Sequence, residues 1–337
     1  MFGPLQKTAF GYEGSFVSFM FNETTATVQN YVVLGPGRFT SVFQVISPDV
    51  TGPGTSGTNA SVFSYESSAM LLRIYSNPVA AMLIQSKSIE LNITFTLSRG
   101  VGPRGTGSPL KLTTAYFEGR LFVTGVATLT RLDTQVTAHL PPGTKAVFRA
   151  NSEAGEGAVG VEGQESLADA TVQSRLALEG FEIGFEGYVA ASDVVYGEIA
   201  VDDYNLTANG IQITFDGDFA SPKLMAFQIH SSILAADKNS TISVRFDGED
   251  VTRIATFDEV VDYSGNDPAC ALAVGENGVL LLAQIPQPGS HILTVELVVP
   301  RPPPEGLNPI QLVAIVAIVV VLVGAAAAFM LRRKPPS

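Results

Sequence analysis

The chain is poor in the residues that usually carry chemistry. Its 337 residues include one cysteine, Cys270, and three histidines, His139, His230 and His291. A single cysteine excludes any intrachain disulfide, which for an extracellular protein of this size argues against a eukaryotic source. Cys270 lies in the apolar run PACALAV, where a buried, inert thiol is expected rather than a reactive one. The histidines are far apart in sequence and two fall in predicted strands, so they read as packed or surface imidazoles rather than metal ligands or bases. No H-E-x-x-H, G-x-S-x-G or C-x-x-C occurs. Positive charge is also scarce, with 20 Lys and Arg against 32 Asp and Glu, a net charge of −12. The imbalance is local: residues 1–110 hold six basic and five acidic side chains, residues 111–299 hold 10 and 26. Such a surface repels phosphate backbones and anionic headgroups, which excludes nucleic-acid binding and leaves divalent cations or cationic partners.

One apolar stretch organises the rest. Residues 310–331, IQLVAIVAIVVVLVGAAAAFML, run from Leu312 for 20 residues without a polar side chain. That is the length a helix needs to cross about 30 Å of hydrocarbon. A core helix would rarely be apolar on every face. Arg332, Arg333 and Lys334 follow it, and the segment before it carries little charge, so the tail is expected inside and residues 1 to about 300 outside. The start, MFGPLQKTAFGYEG, has no basic region followed by an apolar core, so an outward-facing chain would be a mature or truncated form. A tail-anchored protein with its bulk in the cytosol is the alternative. Five prolines in PRPPPEGLNP, 300–309, predict a stiff stalk of about 25–30 Å in the polyproline conformation.

Upstream, the pattern is β. FVSFMF, VQNYVVL and FTSVFQVI are aromatic and β-branched runs broken by turns. From Ile89 to Leu97, five apolar residues alternate with four polar ones. A glycine-rich loop at 99–109 suggests a boundary. KAVFRA, FEIGFEGYVA, IQITF, GVLLLAQI and HILTVELVV continue the pattern, with Asp247-Gly248 and the GENG at 275–278 as hairpin turns. In the last run His291, Leu293, Val295, Leu297 and Val299 share one face. Two helices are expected, one over 164–179 and one over 256–265 with Thr256 as N-cap. The fold class is mainly β, two or three sandwich- or barrel-like modules followed by one transmembrane helix. The divisions are 1–110, an acidic 111–222, a membrane-proximal 223–299, the stalk 300–309, the span 310–331 and the basic tail 332–337.

Motifs that could carry function are few. Five Asn-x-Ser/Thr sequons occur, at Asn22, Asn59, Asn92, Asn205 and Asn239, more than composition alone would give. The acidic groups Asp202-Asp203, Asp216-Gly-Asp218 and Asp247-Gly-Glu249-Asp250 are candidate Ca²⁺ ligands, set against a plain reading as turns. No other cofactor is indicated. Ser108-Pro-Leu-Lys111 matches S-x-x-K without its companion motifs, and GEGAVG at 155–160 matches G-x-G-x-x-G with glutamates that would repel a pyrophosphate. Gly324-x-x-x-Ala328 is a small-xxx-small pair that would let two helices approach.

The order of a cysteine-poor acidic β ectodomain, a proline-rich stalk, one C-terminal span and a tail such as LRRKPPS resembles archaeal cell-surface proteins, S-layer-like ones included. The resemblance implies an N-glycosylated, envelope-attached protein and transfers no functional residue. The expectation is a surface protein without catalytic activity, in an envelope-structural, adhesive or partner-binding role. Its partners would be the bilayer through 310–331, other envelope proteins or further copies of itself, with no nucleic acid. A small-molecule or carbohydrate-binding ectodomain is the alternative. A surface glycoside hydrolase ranks below it, needing two carboxylates in one pocket with separated pKa values.

Overall fold

The computed structural model describes residues 3–35, 38–49, 52–150 and 161–298. Four sheets pack in pairs. The first runs β1 (Gln6–Thr8), β2 (Gly11–Glu13), β3 (Val17–Asn22), β4 (Thr27–Gly35), β5 (Arg38–Pro48), β10 (Leu91–Leu97), β15 (Gln135–Leu140), β14 (Thr128–Leu132). The second runs β11 (Gly102–Arg104), β12 (Leu110–Thr113), β13 (Glu118–Val123), β16 (Lys145–Ala150), β9 (Met82–Ser86), β8 (Met70–Tyr75), β7 (Val62–Ser67), β6 (Gly54–Asn59). These two enclose one core. Leu91, Ile93, Phe95 and Leu97 point into it from β10, as the alternation requires, while Ile89 lies ahead of the strand and is exposed. Aromatic rings fill the middle: Phe43 meets Phe95 and Phe148 at centroid distances of 5.3 and 5.0 Å. Tyr31 hydrogen-bonds the Ala80 carbonyl at 2.6 Å, so its buried hydroxyl is satisfied.

The third sheet runs β18 (Tyr188–Val195), β17 (Leu176–Phe185), β21 (Lys223–His230), β26 (Gly278–Ile285), β25 (Ala269–Gly275), β24 (Thr252–Arg253). The fourth runs β19 (Ile199–Leu206), β20 (Gly210–Gly217), β27 (Gly289–Leu297), β22 (Ile242–Phe246), β23 (Glu249–Asp250). Most pairs are antiparallel, but β17 with β21 and β24 with β25 are parallel. In β27, Leu293 and Val295 are buried and His291 packs on Phe215 and Phe246, which fixes the expected register. Asp247 and Gly248 take positive φ, 51° and 87°, in the two-residue turn joining β22 to β23.

A third apolar layer joins the two sandwiches. Tyr75, Leu83, Phe122 and Val147 from the second sheet meet Phe181, Val194, Leu280 and Leu282 from the third. Helix α1 (Val161–Val172) and helix α2 (Phe257–Val261) contribute Leu167, Ala170, Val260 and Val261. Strands β16 and β26 are therefore covered on both faces, which explains why KAVFRA and GVLLLAQI read as continuous rather than alternating runs.

Several expectations change. Residue 110 does not divide modules: Leu110 opens β12, which pairs with β11 before it, and β10 pairs with β15 beyond it; the glycine-rich stretch holds β11 and the hairpin connection to β12. Residue 222 separates strands of one core, since β20 and β21 both feed the second sandwich. The compact unit spans 1–298, with sandwiches contributed by β1–β16 and β17–β27. The first helix ends at Val172, Ser174 follows at φ 57°, and Leu176–Glu179 join β17, where pairing to β18 and β21 outweighs helix propensity. The second helix is shorter than expected but is capped by Thr256 in a full capping box with Glu259. Among the described residues no helix is long and apolar enough to cross a membrane. The stalk, the span 310–331, its flank Arg332–Lys334, the pair Gly324/Ala328 and GEGAVG lie outside the described residues.

Candidate functional site

Four of the five sequon asparagines, Asn22, Asn59, Asn205 and Asn239, are exposed. Asn239 sits in a turn, while Asn22 ends β3 and Asn59 ends β6, each at a hairpin. Asn92 differs. Its Nδ2 donates to Asp49 Oδ2 at 2.7 Å, and its Oδ1 faces His139 Nδ1 at 2.9 Å. The amide a glycan would need is thus held within the sheet.

The seven acidic candidates stay at the surface. Asp202 and Asp203 lie on β19, Asp216 and Asp218 at and beyond the end of β20. Asp247, Glu249 and Asp250 line a 390 Å³ depression with Asp267. Asp247 is already engaged: Oδ2 pairs with His291 Nδ1 and Oδ1 accepts from the Ile292 amide, both at 2.8 Å. Among the described residues no three His, Cys, Asp or Glu side chains are grouped to hold a metal ion. Ser108 Oγ accepts from the Val123 amide at 3.0 Å, a backbone tie in place of the nucleophile that its motif formally suggested. Cys270 is buried, and burial pushes its thiol pKa up.

The chemistry that sequence reading missed is internal. At the junction, Arg149 on β16 donates to Glu179 on β17 at 2.7 Å, both sealed from solvent. Glu179 also accepts from Gln228 Nε2 at 3.0 Å and the Tyr196 hydroxyl at 3.2 Å. Burial, then the charge of Glu179, holds the Tyr196 phenol well above its ordinary value. The three partners come from both sandwiches, so one carboxylate ties the halves together.

A second group lies on the opposite face of β17, inside the second sandwich. Glu182 has no exposed surface, and neither of its carboxyl oxygens has a hydrogen-bond partner among the described residues. Beside it, Asp193 of β18 accepts from the Tyr204 hydroxyl of β19 at 2.5 Å. A Cβ on Gly180 would lie 2.2 Å from Glu182 Oε1 and 3.0 Å from Asp193 Oδ1, so both oxygens flank the space this glycine leaves open. Desolvation, then the charge of Asp193, pushes Glu182 well above the carboxylate range. Desolvation carries Asp193 up to about 6, against the opposing hydrogen bond from Tyr204. A signal existed: β17 carries Glu179 and Glu182 at opposite parity within a run apolar on both faces, so each acid had to enter a different interior.

An open cleft of 520 Å³ lies where the sandwiches meet. Arg73, Gln85 and Lys145 line it from the second sheet, Glu198, Asp216 and Asp218 from the second sandwich. Lys145 Nζ donates to the Tyr196 carbonyl, and desolvation, followed by the nearby Lys223 charge, lowers its pKa. The two sides offer cations and carboxylates respectively, which suits a polar ligand better than an apolar one.

No family model matches the chain, and no curated protein matches it. Among solved structures, it is similar to a family 81 glycoside hydrolase from Clostridium thermocellum, studied as a point mutant, at 10% identity and a TM-score of 0.33. The match covers 91% of this chain and 39% of that one, so this chain spans well under half of the hydrolase's length.

Proposed function

We propose that the chain is a single-pass, N-glycosylated cell-surface protein whose joined β-sandwiches form an envelope-structural, adhesive or partner-binding ectodomain without catalytic activity. The observation that carries this reading is the apolar run 310–331, closed by Arg332, Arg333 and Lys334. That charge pattern favours a cytoplasmic tail and an outward bulk. Two features support it: the exposure of four sequon asparagines, and a junction built from an apolar layer with a buried ion pair, which makes the ectodomain a stiff body. Its partners are the bilayer through 310–331 and other envelope proteins or further copies of the same chain. The test is peptide mapping of the native protein before and after N-glycan removal, with protease treatment of intact cells. Glycans on the exposed asparagines and external cleavage within 1–298 are the expected results. Unmodified asparagines with a protected bulk would point to a cytosolic, tail-anchored protein and overturn the reading.

The alternative reading, a carbohydrate-binding ectodomain, is favoured by the cleft of Arg73, Gln85, Lys145, Glu198, Asp216 and Asp218. Carboxylates and an amide are common acceptors for sugar hydroxyls, and the cations would take an acidic substituent. Calorimetric titration with neutral and acidic monosaccharides separates this reading from the first.

A further inference from the structure

A fully buried carboxyl without a hydrogen-bond partner is costly as an anion, and a second carboxyl beside it raises that cost. Glu182 and Asp193 present this problem, relieved only in part by the Tyr204 hydroxyl on Asp193 and the backbone N–H of Glu182 itself. The groups facing them are few. Glu182 stands on β17, Asp193 on β18 and Tyr204 on β19; from β21 the neighbour is the apolar ring of Phe227. Through the sheet, the Tyr75 phenol of β8 senses the charge of Asp193. Among the described residues no lysine or arginine acts on either carboxyl. Neutralisation must come from a proton or a metal cation. Two carboxyls and one phenol fall short of the six to eight oxygens that Ca²⁺ takes, and no third metal-binding side chain joins them among the described residues. The proton is the better fit.

Placement gives the pair a mechanical role. β18 is the edge strand of the third sheet and β19 the edge strand of the fourth. The Tyr204–Asp193 hydrogen bond spans that edge, and Glu182 lies just behind it. We propose that Glu182, Asp193 and Tyr204 form a proton-dependent latch that holds the β17–β18 hairpin against β19 while the carboxyl pair keeps a proton and releases this edge when both carboxyls ionise. The direction follows from linkage. In the opened edge the carboxyls lose their protons at ordinary carboxylate values; in the closed edge they keep them longer. The open state therefore binds fewer protons, and closure weakens as pH rises, by up to about tenfold per pH unit for each proton involved. The loss sets in as pH rises past the ordinary carboxylate range and passes through about 6 for Asp193. Glu182, also raised well above that range by burial and then by the charge of Asp193, adds to it.

The test is amide hydrogen exchange on the full-length protein in detergent between pH 5 and 9, corrected for the intrinsic pH dependence of exchange. Protection in β18 and β19 should fall by at least about tenfold over this range in the wild type, while the first sandwich stays level. Glu182→Gln, which keeps the shape and removes the ionisation, should flatten the profile; Asp193→Asn is the second variant. On the wild type alone, infrared spectroscopy at pH 7 should show a buried protonated carboxylic acid band. A flat wild-type profile, a slope unchanged by Glu182→Gln, or no acid band would overturn the latch. Restoration of protection at high pH by millimolar Ca²⁺ would also overturn it, by making the pair a cation site.

Discussion

Arg149 and Glu179 meet 2.7 Å apart where the two sandwiches join, with side-chain exposures of 1% and 0%. The pair belongs to strands consecutive along the chain but placed in different sheets and separated by α1, and Gln228 and Tyr196 complete the carboxylate's shell. Removing one member leaves the other charged and desolvated. Arg149→Ala should therefore destabilise the chain by about 3–5 kcal/mol. Replacing both, as Arg149→Met with Glu179→Leu, should recover most of that loss, because the surrounding layer is already apolar. Denaturant unfolding of the three variants measures this; equal losses in the single and double variants would remove the ion pair from the account.

Gly180 leaves room for the Glu182 carboxyl, and a methyl group there would meet Glu182 Oε1 at 2.2 Å and Phe227 Cδ1 at 2.9 Å. Gly180→Ala should cost about 1–3 kcal/mol through overpacking. Combining it with Glu182→Ala should cost less than the sum of the two, since the shorter side chain withdraws the clashing oxygen. Strict additivity in thermal unfolding would show that Phe227, not Glu182, sets the limit.

The reach of the sequence can be judged on these same strands. Alternation located β10 and β27 with their inward faces, and Asp247-Gly248 and Glu276-Asn277 sit at hairpin turns as expected. Local signals were strong there because each strand needs one apolar face. The partner of a strand is a non-local matter: β5 pairs with β10 across about forty residues and β17 runs parallel to β21, so the divisions at 110 and 222 had no local counterpart. Glu179 and Glu182 were also readable as charges inside an apolar run, yet their separate destinations depend on which sheet covers each face of β17. The sequons were visible from composition. That Asn92 is held by Asp49, 43 residues away, was not.

Asp247 links three features of the fourth sheet: the hairpin turn at φ 51°, the His291 imidazole and the Ile292 amide. Asp247→Ala loses both bonds and places an alanine at positive φ, so a cost of about 1–3 kcal/mol is expected. Asp247→Gly relieves the backbone strain and should recover part of it. A thermal melt in which alanine and glycine behave alike would assign the whole effect to the side-chain bonds.

Asn92 supplies the sharpest test of the surface reading, because its sequon is intact while its amide is not free. Nδ2 donates to Asp49, and the backbone N–H of Asn92 donates to the other Asp49 oxygen at 2.9 Å. A glycan on Nδ2 would have to break the side-chain contact and stand between β5 and β15 on the sheet's polar face. In the native protein, peptide mapping should therefore find glycans at Asn22, Asn59 and Asn239, whose amides are exposed, with the half-buried Asn92 unmodified. Asp49→Ala should remove the competing acceptor and raise occupancy at Asn92 only if attachment follows folding of this sheet. If attachment precedes folding, Asn92 would carry a glycan in the wild type as well, and the Asp49 contact would have to be absent from the mature protein.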